Sequence, residues 1–169
     1  VFEAGVVPRV VLPACGLLQV SEPERFGAER DINLLFRDRI AAVCGGYLGP
    51  LGTRPRPESE LADPLRLLER GAPTDRPLPP MYLCVGTADP IESDTHRAAE
   101  ALSALGVPHR LDVYEGETHA FHAFAWRAAA QRCWSAQLEF LAEHLPPGEA
   151  ARRPLETVPR ARASGPAGS

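Results

Sequence analysis

An α/β fold with a parallel sheet is predicted for this chain, and three observations predict it. Short apolar runs alternate with segments of helical spacing along the sequence. The run at residues 81–85 ends in Gly86 and passes at once through a G-T-A-D-P turn into a helical segment. A further apolar run, with Leu111, Val113 and Tyr114, follows that helix, completing the order of a β-α-β unit.

Taken in order, residues 8–12, PRVVL, read as the first strand, closed by Pro13. Residues 14–28 mix polar residues with Gly and Pro and read as loop. Residues 31–47 read as a helix, because Ile32, Leu35, Phe36, Ile40, Val43 and Tyr47 recur at three and four. Asp31 suits its start. Residues 51–59 are Pro, Gly and Arg, a loop. Residues 61–70 allow a short helix with Pro64 in the first turn and Gly71 as its stop. Residues 73–80 are again loop. The helix at 92–105 presents Ala98, Ala99, Leu102 and Leu105 on one face and stops at Gly106, with Pro108 beyond. The strand after it spans roughly 109–115 and is expected at the sheet edge. Residues 123–145 form the longest helix candidate, its apolar face marked by Trp126, Ala130, Cys133, Trp134, Leu138, Leu141 and Leu145. Pro146-Pro147-Gly148 ends it. One domain is expected over residues 1–145, with 146–169 a disordered tail rich in Arg, Ala and Pro. Three strands make a thin sheet for so many helices, so strands of an N-terminal portion are expected to be missing.

Composition excludes several classes. Net charge is −4, and all 18 basic residues are Arg, so no electrostatic case exists for nucleic acid. No apolar run reaches membrane-spanning length, and no signal peptide is expected at the start. The four cysteines, Cys15, Cys44, Cys84 and Cys133, show no C-x-x-C spacing. They read as buried free thiols, which points to a reducing compartment and a cytoplasmic location.

The chemistry lies in two turns. In a β-α-β unit both loops leave the carboxyl edge of the sheet. Asp89, after the first strand, and His119, after the second, are therefore expected to be neighbours in space although they are 30 positions apart in sequence. A carboxylate against an imidazole fixes the ring's tautomer and stabilises the imidazolium formed when the ring takes a proton. The bland reading is that Asp89 caps the following helix and His119 is a satisfied loop histidine. On residue types alone the bland reading is the stronger.

Three segments shift that balance. G-T-A-D-P-I at 86–91, L-S-A-L-G-V at 102–107 and V-Y-E-G-E-T-H-A-F at 113–121 follow one another at fixed spacing. They resemble the C-terminal part of the hormone-sensitive-lipase-like branch of the α/β-hydrolases, over about residues 8–145. In that family the patterns are G-x-x-D-P-L, a helix ending L-x-x-x-G-V, and v-Y-x-G-x-x-H-x-F. The resemblance implies a partial α/β-hydrolase fold and carboxylic ester hydrolysis, with Asp89 and His119 as two members of a Ser-Asp-His triad. It implies no cofactor and a small ester as substrate. Pairing across the last strand would make a homodimer. The sequence departs from the pattern at Ala120, where the family often has Gly, and at Ile91, where it has Leu. Small size is expected to suffice at Ala120. Asp94 matches a frequent family acid and reads as a helix-start residue.

The nucleophile is absent. None of the serines, at 21, 59, 93, 103, 135, 164 and 169, has glycines two before and two after it, and no His-Gly-Gly segment occurs. The order Ser…Asp…His places both missing parts upstream of these residues, so the chain is expected to be a fragment, inactive alone. A-V-C-G-G at 42–46 approaches a cysteine elbow, but Cys44 ends a helical pattern where an elbow needs strand, turn, helix. A metal on His119, His122 and Glu117 lacks helical i, i+4 geometry and a clear further ligand, so none is expected. Trp126 and Trp134 read as core. The rival to an esterase is a truncated, non-catalytic α/β domain that binds a small apolar ligand or a partner.

Overall fold

The computed structural model describes residues 8–29, 34–48, 61–71 and 76–145. At its centre lies strand β1, Met81–Gly86, of which every residue after Met81 is buried. Strand β2, His109–Tyr114, pairs with it in parallel, from Met81 opposite His109 to Gly86 opposite Tyr114. Residues 11–15 run along the other side of β1. Val11 donates to the Pro80 carbonyl (3.0 Å), Tyr82 to that of Val11 (3.0 Å), and Cys15 to that of Cys84 (2.9 Å). The expected strand at 8–12 is thus present in direction but reduced to isolated parallel bridges at Val11 and Ala14. Pro13 explains this, because it sits in the ladder without an N–H to donate.

Among the described residues five helices surround the strands: α1, Arg25–Glu29; α2, Leu34–Leu48; α3, Pro64–Glu69; α4, Glu92–Ala104; and α5, Ala128–His144. Helix α1 falls in a stretch that reads as loop in the sequence. Strand periodicity sends alternate residues of β1 to opposite faces. Tyr82 and Cys84 join Cys15, Phe121 and the α5 residues Ala129, Cys133, Ala136 and Phe140. Leu83 joins Leu65 of α3 and Ala98 and Leu102 of α4 on the other face. Both faces are covered, as a parallel strand requires. Each large side chain so buried contributes about 1.5–3 kcal/mol. A third cluster, Val20, Phe26, Ile40, Cys44 and Ile91, seats α1 and α2 against the start of α4.

Two helix faces differ from the expected ones. In α2 the core takes Ile40 and Cys44, with Phe36 half-buried, while Leu35, Val43 and Tyr47 lie exposed. Cys44 is mid-helix and away from any strand-to-helix turn. Before α5, a 3-10 turn at Phe121–Ala123 and a loop delay the helix to Ala128. Trp126 therefore belongs to that loop and is 77% exposed, not core. Trp134 and Leu138 are exposed too, because the buried face runs through 129, 130, 133, 136, 137 and 140, and these two lie beyond its edge. The small residues Ala129, Cys133 and Ala136 let α5 approach β1, and Phe140 fills the space beside Tyr82 at a ring distance of 5.8 Å. All four cysteines are free and buried. Among the described residues no helix is long and apolar enough to cross a membrane. The expected tail at 146–169, and Asp31 as a helix start, fall outside the described residues.

Candidate active site

The turn after β1 and the turn after β2 are laced together by backbone. Thr87 donates to the Tyr114 carbonyl (3.0 Å), Ala88 to that of Glu117 (3.0 Å), and Gly116 to the Thr87 hydroxyl (2.8 Å). The approach is close enough to demand glycine at the end of β1: a Cβ on Gly86 would overlap the Glu117 carbonyl. This lacing sets the positions of Asp89 and His119.

Asp89 is fully buried and His119 is about two-fifths exposed, as suits a pair with one member facing solvent. The His119 Nδ1 lies 3.0 Å from Asp89 Oδ2 and 3.3 Å from Oδ1. The expected neighbourhood of the two turns is therefore observed as a hydrogen-bonded pair. Asp89 Oδ1 also accepts the Ile91 amide (3.0 Å), which closes the turn into α4. Asp89 is thus both a turn residue and the partner of His119, but its side chain does not cap α4, whose N-cap is Ile91. The carboxylate bond raises the His119 pKa above the ordinary histidine value, with burial opposing it. The Phe36 ring meets the imidazole edge-on, with centroids 6.3 Å apart.

The other candidates fall elsewhere. His122 is held among rings, edge-on to Phe121 (5.9 Å) and Trp134 (6.1 Å), and Trp134 donates its indole N–H to the His122 carbonyl (2.9 Å). Burial, then the neighbouring His119, lowers its pKa. Glu117 turns to Arg127 in an ion pair of 2.9 Å. Asp94 is a first-turn residue of α4, as expected, but it is fully buried and bound to Arg25 (2.7 Å). Burial raises the Cys44 pKa, which does not suit a nucleophile.

One residue at the site escapes the sequence reading. Cys15, at the end of the strand-like segment 11–15, brings its thiol beside the pair. Its Sγ, a carboxylate oxygen of Asp89 and a ring nitrogen of His119 all lie within 4.8 Å of one another. The thiol is also 4.0 Å from His122 Nδ1. Burial, and further the Asp89 charge, push its pKa up to about 12, so it is a neutral thiol, not an activated nucleophile. Its backbone is left-handed (φ 49°), which is uncommon outside glycine. No local pattern marks it; the only signal is its position at the carboxyl end of a strand predicted to run parallel to β1.

A family model described as the alpha/beta hydrolase fold matches residues 4–123. Comparison with curated proteins finds no match. Among solved structures the chain is similar to the esterase E25, with TM-score 0.62 and 23% identity, covering 86% of this chain and 43% of that one. It is similar to an esterase from the bacterial hormone-sensitive lipase (HSL) family, with TM-score 0.64 and 23% identity, covering 83% and 45%. It is also similar to an esterase/lipase from an uncultured bacterium, with TM-score 0.59 and 19% identity, covering 85% and 46%. The chain spans less than half the length of each of these structures, and at such identities the likeness is one of fold. The family match is broader evidence, since it takes in most of the chain and both turns that hold Asp89 and His119, and by it this chain belongs to the family of the alpha/beta hydrolase fold.

Proposed function

We propose that this chain supplies the Asp and His of a carboxylic ester hydrolase, an esterase or lipase with a Ser-Asp-His triad whose serine lies outside these residues. The observation that carries the reading is the 3.0 Å contact between the buried Asp89 carboxylate and His119 Nδ1 at the carboxyl edge of the sheet. With Nδ1 so held, Nε2 is left to accept the serine proton as the serine oxygen attacks the ester carbonyl. Asp89 then stabilises the imidazolium. His119 returns the proton to the leaving alcohol, and a water molecule repeats the cycle to release the acid. Small esters are the substrate class, no cofactor takes part, and the outer edge of β2 is the place for a second copy to pair.

The test uses a chain extended upstream to include a strand followed by G-x-S-x-G. The extended protein should hydrolyse short-chain nitrophenyl esters, and residues 1–169 alone should show no turnover above a buffer blank. In the extended protein His119→Ala should remove nearly all turnover. Asp89→Asn should cause a large loss, in the direction of the about 10⁴-fold fall seen for the equivalent change in serine proteases. His122→Ala should stay within roughly tenfold, about 1.4 kcal/mol of barrier. Retained activity in a folded His119→Ala variant would sink the assignment and leave a non-catalytic binding domain as the better reading.

A further inference from the structure

We infer that Cys15, Asp89 and His119 form a binding site for a thiophilic divalent cation, zinc above others, which would hold the proposed hydrolase inactive. The second half of this statement rests on the reading under Proposed function; the first half does not.

The geometry of the donors comes first. Tetrahedral zinc with bonds of about 2.0–2.3 Å spaces its donors roughly 3.3–3.8 Å apart. Asp89 and His119 already stand 3.0 Å apart, and the Cys15 Sγ joins them inside a span of 4.8 Å. Binding would need side-chain rotations that bring the Cys15 Sγ inward from that span. The donors are one thiolate, one imidazole and one carboxylate, a mixed set that suits zinc and not magnesium or calcium, which take oxygen.

The site is also built in advance. Cys15 is 5% exposed and Asp89 fully buried. The Cys15 amide is tied to the Cys84 carbonyl (2.9 Å) and the Asp89 amide to that of Gly86 (3.0 Å), so β1 anchors both. Asp89 Oδ1 is engaged by the Ile91 amide, an outer contact that orients the carboxylate and leaves Oδ2 turned to the site. The left-handed backbone at Cys15 is sustained where the proposed ester chemistry has no use for a thiol. His119 and Glu117 fail as a metal pair because Glu117 is taken by Arg127. The further ligand comes instead from a strand far upstream.

On binding, the thiol releases its proton to solvent and Cys15 coordinates as thiolate. The neutral ring of His119 moves its proton from Nδ1 to Nε2 through solvent and coordinates through Nδ1. Asp89 coordinates through Oδ2, and water takes the fourth position. The net change is one proton released per ion. Nε2 then carries a proton and cannot accept one from a serine, which is why the metal-bound form would be inactive.

The experiment titrates the 169-residue chain with zinc chloride by calorimetry and with cobalt(II) by absorption. One ion per chain should bind, and cobalt should develop a near-ultraviolet thiolate charge-transfer band. Cys15→Ala should lose that band. Removing a ligand should cost at least the roughly tenfold in affinity that loss of an outer contact costs, so Cys15→Ala and His119→Gln should each weaken zinc by that much or more. His96→Gln, on the surface of α4, should bind as the parent does. If Cys15→Ala does not fold by circular dichroism, His119→Gln carries the comparison. Zinc binding equal in parent and ligand variants, or cobalt binding without a thiolate band, would overturn the site. In the extended protein zinc should lower kcat/KM of the parent more than that of Cys15→Ala. Equal inhibition of both would overturn the regulatory half while a bound ion kept the site. A His119→Ala variant that still turned over ester would end the hydrolase reading without touching the metal titration.

Discussion

Asp89 accepts hydrogen bonds of different kinds, among them one from the backbone of its own turn and one from an imidazole on the next. The second sets a pH dependence. Because Asp89 raises the His119 pKa above the ordinary value of 6.5, the ring becomes neutral, and competent as a base, only above a raised midpoint. In the extended protein, kcat/KM should therefore fall on the acid side with a midpoint above that value, and Asp89→Asn should move the midpoint down. Stability carries the same sign. A raised folded pKa contributes stability that is fully present below the unfolded value and lost as pH rises through the folded one. The urea midpoint of the parent should exceed that of His119→Gln by more at about pH 5.5 than at about pH 8.5. An excess that grew with pH would contradict the pairing. Ala120, next along the chain, has φ 57°. The family's frequent glycine there answers a left-handed backbone, so small size alone, as the sequence reading had it, is not the physical reason.

Asp94 shows what holds the elements to one another. Its place in the first turn of α4 is readable from the sequence, but its partners are not. It accepts the amides of Leu18 (2.9 Å) and Gln19 (3.0 Å) and the guanidinium of Arg25 (2.7 Å), so one buried carboxylate ties α1 and the segment after Cys15 to α4. Removing it leaves Arg25 with its main charge partner gone and two amides unmet. Asp94→Ala should cost about 3–5 kcal/mol in urea unfolding, the range for one member of a buried pair. The exposed pair of Arg66 with Glu22 (3.2 Å) gives the contrast, since Glu22→Gln should cost about 1 kcal/mol or less. A loss for Asp94→Ala no larger than for Glu22→Gln would show that α1 is not anchored this way. The helix faces teach a related point. In α2 and α5 the spacing of apolar residues predicts helix correctly, yet it does not say which of two overlapping stripes meets the core. Steric fit selects Ala129, Cys133 and Ala136 in α5, where the larger Trp134 and Leu138 would hold the helix off β1.

For the molecule as a whole, β1 is the element most enclosed, with α3 and α4 on one face and α5 on the other. Helix α2 lies at the opposite extreme, touching the rest through Phe36, Ile40 and Cys44 while Leu34, Leu35, Val43 and Tyr47 stay exposed. Local opening free energy follows such differences in enclosure. Amide exchange followed by mass spectrometry should find β1 and the middle of α4 the slowest to exchange and α2 the fastest of the long helices. Slow exchange throughout α2, at rates matching β1, would mean that its apolar face is covered in solution.

Apart from α1, which falls in a stretch that reads as loop, the order of the main elements, the parallel direction of the strands and the meeting of Asp89 with His119 were readable from residue order. Each follows from local periodicity and from one general rule, that successive parallel strands open their loops at a common edge. The esterase expectation came from the resemblance of 86–91, 102–107 and 113–121 to a known family's motifs, and residue types and spacing alone did not supply it. Cys15 at the same edge, Asp94 as a buried anchor and Trp126 in solvent were not readable. Each depends on which non-local surfaces meet, on the missing N–H of Pro13, the overlap that forbids a side chain at Gly86, and the loop that delays α5 to Ala128. Periodicity records that a residue prefers burial; packing in three dimensions selects its neighbour.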